Sequence, residues 1–122
     1  MAKKPKDDEV RSPGTTTIAP NVLVTIAQLT ALQVEGVAGL APQPVVVKKL
    51  FRRGIGDGVD LDIQDGAVTA DLYLVLKAET NVRDVSRNVQ QEVARALEEM
   101  VGMPAGAINV HIQDIDYQDA AG

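Results

Sequence analysis

Apolar and polar residues alternate between positions 59 and 76, and Asp65-Gly66 interrupts them once; this pattern constrains the fold most strongly. A period of two places alternate side chains on opposite faces of a β-strand. An Asp-Gly pair is typical of a two-residue hairpin turn. The segment therefore predicts two antiparallel strands with one buried face, which consists of Val59, Leu61, Ile63, Val68, Ala70, Leu72, Leu74 and Leu76.

A helix of about five turns is predicted after the hairpin. Asn81 is a suitable N-cap, and Gly102 followed by Pro104 marks the end. Apolar residues recur every three or four positions in between, which predicts a buried face of Val82, Val85, Val89, Val93, Leu97 and Met100. A last strand is predicted from the alternation of Ile108, Val110 and Ile112 with polar residues.

The N-terminal half contributes one more strand and one more helix. Residues 15–18 are β-branched and predict a short first strand, while Pro20 suits the first turn of a helix that Gly36 ends. The buried face of this helix is predicted to consist of Leu23, Ile26, Ala27, Thr30 and Val34. The resulting order, β-α-β-β-α-β, predicts an α+β fold with two layers, in which two helices cover one face of a mostly antiparallel sheet.

A chain of 122 residues has the length of one domain, since domains typically contain roughly 100–150 residues. Residues 1–13 mix charges with two prolines and show no periodicity, which predicts a disordered tail. We therefore expect a domain at 14–117 and a short C-terminal tail at 118–122.

Composition excludes several classes of protein. Cysteine is absent, so disulfides, thiolate metal sites and cysteine nucleophiles are excluded. The formal charge of −5 argues against a general nucleic-acid binder. The charged N-terminus does not resemble a secretory signal, and no apolar run is long enough to cross a bilayer. We expect a cytoplasmic protein whose contact with a membrane is peripheral or is made through a partner.

The residues that could take part in catalysis or metal binding do not combine into a catalytic or metal-binding pattern. His111 is the single histidine and is interpreted as a solvated strand residue. Asp60 and Asp62 alternate as a strand requires, which indicates an exposed acidic face rather than a calcium loop. The glycines between 54 and 58 precede a strand instead of a helix, so they indicate a connector rather than a phosphate-binding loop. We predict no catalytic residue, no cofactor and no metal.

The basic segment, residues 45–53, is the one feature that exceeds the needs of packing. It combines three valines with Lys48, Lys49, Phe51, Arg52 and Arg53. Two interpretations stay open. Phe51 could anchor a loop whose cations are only solvated, or the five named residues could contact an acidic partner or an anionic membrane surface.

A series of short segments resembles the bacterial alkaline shock protein family, also linked to envelope stress. The resemblance extends over about 14–117 and is carried by Thr17-Ile18-Ala19-Pro20, Val34-Glu35-Gly36-Val37-Ala38-Gly39-Leu40, Asp71-Leu72-Tyr73-Leu74-Val75, Val85-Ser86-Arg87-Asn88-Val89-Gln90 and Ile108-Asn109-Val110-His111-Ile112. It implies a cytoplasmic protein of cell-envelope homeostasis and stress, associated in some members with a membrane-anchored partner. It implies no catalytic residue and no cofactor.

The leading functional hypothesis is a non-enzymatic scaffold or adaptor that acts through protein–protein contacts, including self-association. A nucleic-acid- or ribosome-associated module is the first alternative, because sheets of this order often bind RNA, but an acidic face with few aromatics argues against it. A regulatory small-molecule-binding domain is the second alternative, and its link to fatty-acid metabolism is what the family resemblance implies.

Overall fold

The computed structural model describes residues 14, 17–44, 54–56 and 58–117, and for 54–56 it describes the backbone. Within these ranges the chain forms two α-helices and five strands. They are α1 (Pro20–Gln33), β1 (Val37–Leu40), β2 (Gly54–Gly56), β3 (Val59–Gln64), β4 (Ala67–Lys77), α2 (Val82–Ala96) and β5 (Ala105–Asp116). A π-helical turn, Leu97–Val101, continues α2.

The predicted hairpin is confirmed. Strands β3 and β4 pair antiparallel from Gln64 opposite Ala67 to Val59 opposite Leu72. The two turn residues have positive φ, +53° at Asp65 and +78° at Gly66, as a type I′ turn requires. Local turn chemistry therefore sets the register of the hairpin.

Strand β4 is the centre of the sheet. Along one edge it pairs antiparallel first with β3 and then, through Leu74–Leu76, with β1. Along the other edge it pairs parallel with β5 over nearly its full length. Strand β2 extends the sheet beyond β3. Within the described residues, β5 therefore forms one border of the sheet.

Both helices and one face of the sheet share a single core, and α1 also contacts α2. The core face of α1 consists of Leu23, Val24, Ala27 and Ala31, and that of β4 consists of Val68, Ala70, Leu72, Leu74 and Leu76. The α+β class with two helices on a mostly antiparallel sheet is confirmed. The border strand β5 packs its alternate residues Ile108, Val110 and Ile112 against this core as partly buried side chains.

Helix α2 begins where it was predicted, because the Asn81 side chain accepts a hydrogen bond from the Asp84 N–H at 3.0 Å. Val85, Val89, Val93 and Leu97 are buried as predicted. Val82 and Met100 were predicted to be buried and are exposed instead. At Met100 the reason is the π-helical turn, whose wider spacing turns Met100 outward and packs Val101 against the core.

The first strand was predicted in the wrong place. Thr17 and Ile18 belong to no strand, and positions 15 and 16 lie outside the described residues. The additional strand of the N-terminal half is β1, which follows α1 instead of preceding it. Val37–Leu40 forms a strand there because its backbone groups pair with the part of the β4 edge that β3 leaves free. The glycine segment predicted as a connector contains β2, which pairs with β3. The predicted tails, 1–13 and 118–122, stay predictions.

Candidate functional site

The residues predicted from the sequence as a contact site, Lys48, Lys49, Phe51, Arg52 and Arg53, lie outside the described residues. The candidate site therefore has to be found among the side chains that the structure describes. Two surfaces stand out among these side chains, the open face of the sheet and the outward face of α1.

On the open face of the sheet, His111 is more than a solvated strand residue. Parallel pairing places it beside Tyr73, and the two rings stack with centroids 4.6 Å apart. The His111 Nε2–H donates a hydrogen bond to the Asp71 carboxylate at 3.0 Å. Asp71 lies directly across from Asp60, and like charges in such a pair are destabilising. The hydrogen bond from His111 therefore gives the Asp71 carboxylate a compensating donor on this face of the sheet.

Asp60 was predicted to be exposed, and that prediction is wrong, because only 5% of it is accessible. Gln43, in the segment after β1, covers this part of the sheet. Its Nε2 donates to the Asp60 Oδ1 and to the Val59 carbonyl, both at 3.0 Å, and its Oε1 accepts from the Gly58 N–H at 3.3 Å. Asp60 is therefore a structural carboxylate that helps to fix the segment after β1.

Catalysis gains no support from these groups. In the part of the chain that the structure describes, no three histidine, cysteine, aspartate or glutamate side chains converge as a metal site would require. Tyr73 is 3% exposed, so its ring is not available to stack on a ligand. The open face of the sheet is best explained as packing and charge compensation.

Replacing His111 by alanine is expected to reduce the free energy of unfolding by only about 1 kcal/mol, because it removes one hydrogen bond and one ring contact at a half-exposed site. Partner binding is expected to be unchanged. Chemical denaturation measures the first effect and affinity capture the second. Loss of capture by a folded His111→Ala protein would instead make the open face a functional site.

The outward face of α1 carries the candidate site, which we call the α1 stripe. It consists of Val22, Thr25, Leu29 and Leu32 within the helix and of Ile18, which precedes the helix. The four apolar members are among the large apolar residues that remain exposed, at 38%, 48%, 57% and 44% in chain order. Scattered single residues of this kind need no explanation, but neighbouring ones that form a row along a helix make a candidate interaction surface.

The local sequence explains how the stripe arises. Pro20 occupies the first turn of α1, where its missing N–H costs nothing. The Thr25 hydroxyl donates to the Asn21 carbonyl at 3.0 Å, so this polar group is satisfied within the helix. The core contacts leave the opposite side of the helix, the side of Val22 and Leu29, without cover from described residues.

Charge distinguishes the two helices. Helix α1 contains no charged residue in its 14 positions, whereas the exposed surface of α2 carries two ion pairs, Arg87 with Asp84 and Arg95 with Glu92. A surface helix usually has one apolar face and one charged face, as α2 has. Helix α1 instead has apolar residues on both faces, which is typical of a helix that is covered on both sides. The helical spacing of apolar residues predicts one buried face of α1. The absence of charged residues is the sequence signal that could have revealed the second apolar face.

A shallow groove of about 440 Å³ opens between the ends of β1, β4 and β5. Ala38, Gly39 and Val75 contribute to its apolar part, and Asp114 and Asp116 line it with carboxylates. An anionic ligand would meet those carboxylates, so the groove does not suit a fatty acid.

Comparison with known proteins gives a consistent result. A family model described as the ASP23 family, with cell envelope-related function, matches residues 8–117. The uncharacterized protein Spy1535 of Streptococcus pyogenes serotype M6 is 36% identical over 103 residues, which cover 84% of this chain and 79% of that protein. The uncharacterized protein YqhY of Bacillus subtilis is 31% identical over 117 residues, or 94% and 87% of the two chains.

Among solved structures, the copper form of MamM CTD superposes with a TM-score of 0.56 and covers 80% of this chain and 88% of its own. The sequence identity is 13%, so the likeness concerns the fold alone. None of the helices in the described part of the chain has the length and apolarity needed to span a bilayer.

Proposed function

This chain belongs to the ASP23 family, whose function is related to the cell envelope, and we propose that it serves that function as a non-enzymatic adaptor that binds other proteins. The resemblance to the alkaline shock protein family is thereby confirmed. The observation that carries the proposal is the α1 stripe, an exposed apolar row on a helix without charge.

The α1 stripe favours a protein partner over the alternatives. Burying apolar area contributes about 25 cal/mol per Å², so a row of half-exposed leucine and valine side chains provides a driving force for docking. A nucleic acid would require cations, and α1 has none. A direct membrane contact would also require Lys or Arg beside the apolar face of the helix. The proposal includes partners that are themselves anchored in the membrane, which would hold this chain at the cytoplasmic side of the envelope.

The basic segment is a second element of the proposal. Lys48, Lys49, Arg52 and Arg53 would accelerate encounter with an acidic partner, and Phe51 would add apolar contact. This role rests on the sequence, since the segment lies outside the described residues.

Affinity capture with crosslinking from native cells, with membrane and soluble fractions kept separate, tests the proposal. The Leu29→Glu protein is expected to recover at least about tenfold less of each specific partner than the unmodified protein, because a charge would be buried in the contact. Its stability is expected to change by less than about 0.5 kcal/mol, because Leu29 is exposed and glutamate is a good helix former.

The matched control is Gln91→Glu, which adds the same charge at an exposed position of α2. It is expected to recover all partners. A third variant, with the four cations of the basic segment changed to glutamate, tests that segment separately and is expected to lose capture with an unaltered circular dichroism spectrum. If the Leu29→Glu protein is folded and recovers the same partners as Gln91→Glu, the α1 stripe is not the docking face.

A further inference from the structure

We propose that the outer edge of β5 binds an extended, basic segment of a partner protein, which adds a strand to the sheet and places a lysine or arginine in the groove beside β5. This surface is separate from the α1 stripe, so the inference goes beyond the proposed function. Three features of the molecule support it: the backbone of β5, the partial burial of its apolar side chains, and the charge and shape of the groove.

The backbone of β5 offers hydrogen-bonding groups to a further strand. On the side turned away from β4, β5 has no neighbouring strand in the described part of the chain. Every second residue of such a border strand directs its N–H and C=O away from the sheet. Near the start of β5 the Gln90 Nε2 donates to the Ile108 carbonyl at 3.0 Å. In residues 109–113, which we call the β5 edge, no described side chain bonds to the backbone, so this stretch can accept an added strand.

The β5 edge lacks the features that usually prevent pairing with another chain. Border strands are commonly protected by lysine, by proline, by a bulge or by a short length. Strand β5 has 12 residues and contains no lysine, arginine or proline. Its register against β4 is regular from Ile108 to Ile112, and the irregularities lie outside that stretch. The absence of protection along β5 favours a role in pairing.

The apolar side chains of β5 are covered only in part. Ile108, Val110 and Ile112 pack against the core as partly buried residues, whereas their register partners in β4 are fully buried. A strand beside β5 would cover the remaining area if it carried apolar residues at alternate positions. The partner segment is therefore expected to direct alternate apolar residues to the core side and its other residues to the open face of the sheet.

The groove of about 440 Å³ gives one of those other residues a place to bind. Gly39 lines it, and a Cβ added there would meet nothing within 4 Å, so this position leaves open space. Asp114 and Asp116 contribute carboxylates, and Lys77 lies beside only the second of them in the sheet register. Tyr117, which is 68% exposed, contributes its ring. Carboxylates beside an aromatic ring favour the side chain of lysine or arginine.

Charge favours a basic segment along the whole β5 edge. The only lysine or arginine in the five strands is Lys77. The aspartates of the strands are Asp60, Asp62, Asp71, Asp114 and Asp116. An added strand lies about 4.8 Å from its neighbour, so cations at alternate positions come close to carboxylates of the open face. Like charges directly opposite each other are destabilising, which disfavours an acidic segment.

A synthetic peptide of alternating valine and lysine, acetylated and amidated at its ends, tests the proposal on the full chain. In the chain alone, alternate amides of the β5 edge are expected to exchange rapidly with solvent. Saturating peptide is expected to slow their exchange at least about tenfold, while the amides that bond to β4 change little. Hydrogen exchange followed by NMR measures this alternation, which a contact through side chains alone would not produce.

Two control peptides separate charge from backbone pairing. A peptide with glutamate in place of lysine is expected to bind at least about tenfold more weakly, because it meets the carboxylates of the open face. A valine and lysine peptide with N-methyl groups along its backbone lacks the N–H donors of a strand and is expected to lose binding to a similar extent. Isothermal titration calorimetry gives the three affinities.

Asp114→Asn tests the groove. The asparagine oxygen can still accept from the Ile115 N–H, as the Asp114 Oδ1 does at 2.8 Å, so the fold is expected to be retained. Affinity for the lysine peptide is expected to fall about fivefold. The matched control, Asp62→Asn, removes the same charge from β3, which β4 separates from β5, and is expected to retain the affinity.

Leu29→Glu, in the α1 stripe, is expected to bind the peptide as the unmodified chain does. Loss of cellular partners by this variant therefore concerns the proposed function only, and loss of peptide binding by Asp114→Asn concerns the β5 edge only.

Several results would overturn the inference. Protection of the β5 edge in the chain alone would mean that it is already occupied, by a second copy if the protection rises with concentration and by another segment of the same chain if it does not. Equal binding of the lysine and glutamate peptides, or equal losses in Asp114→Asn and Asp62→Asn, would mean that the groove selects no cation. Undiminished binding of the N-methylated peptide would mean that no strand is added.

Discussion

Val89→Asp is expected to unfold the domain. Val89 is fully buried at the centre of the core face of α2, between Val85 and Val93. An unpaired carboxylate at this position would cost about 4 kcal/mol or more, against a total stability of about 5–15 kcal/mol for a domain of this kind. Circular dichroism and thermal melting measure the effect.

The matched control is Gln91→Asp, which places the same side chain two residues further along, on the exposed side of α2. Its cost is limited to the difference in helix propensity and is expected to stay within about 0.5 kcal/mol. A cooperative melt of Val89→Asp near the unmodified temperature would mean that this face of α2 does not pack on the sheet.

Gly58→Ala is expected to be the second most damaging substitution, with a loss of about 3 kcal/mol in the free energy of unfolding. Gly58 has φ +76°, and a Cβ added there would lie 2.8 Å from the Leu40 Cβ and 3.0 Å from the Ala41 carbonyl oxygen. Its own carbonyl accepts from the Tyr73 N–H at 2.8 Å, so the backbone cannot shift without losing a bond at the centre of the sheet.

The Gly66→Ala substitution separates the free-energy cost of backbone strain from the cost of steric contacts made by the added Cβ. Gly66 has nearly the same φ, +78°, but a Cβ there would meet nothing within 4 Å. The substitution is therefore expected to lower the free energy of unfolding only by the cost of placing alanine at a positive φ, about 1 kcal/mol. Denaturant titration of both proteins gives the difference. Equal losses would show that β1 moves aside without cost and that the contact with Leu40 is not tight.

Local signals predicted the elements that depend on local chemistry. The hairpin follows from alternation and from Asp65-Gly66, and α2 follows from Asn81 and the spacing of its valines. Strand β1 could not be found in this way, because its four residues, Val37–Leu40, are too few for a period and include Ala38 and Gly39. They form a strand because the end of β4 offers them unpaired backbone groups.

On the open face of the sheet, too, the local sequence pattern predicts only part of what the structure shows. Alternation assigns Asp60 and Tyr73 to the polar side of the strands, and they do lie there. Residues distant in sequence contact both of them: Gln43 donates a hydrogen bond to Asp60, and His111 stacks on Tyr73. The α1 stripe is different, because its spacing and its lack of charge are visible in the sequence. Only the structure shows which residues of α1 pack in the core, and therefore that the stripe residues do not contribute to core packing.

The parallel pairing of β4 with β5 has a consequence for how the chain folds. The hairpin of β3 and β4 can close as soon as its turn exists, since its partners are close in sequence. The other edge of β4 pairs with β5, which follows α2 in the chain, so this edge can be paired only after both α2 and β5 have been synthesised. During synthesis β4 therefore has an unpaired edge until β5 has been made. A truncation that removes β5 is expected to leave a chain that aggregates rather than a smaller folded domain.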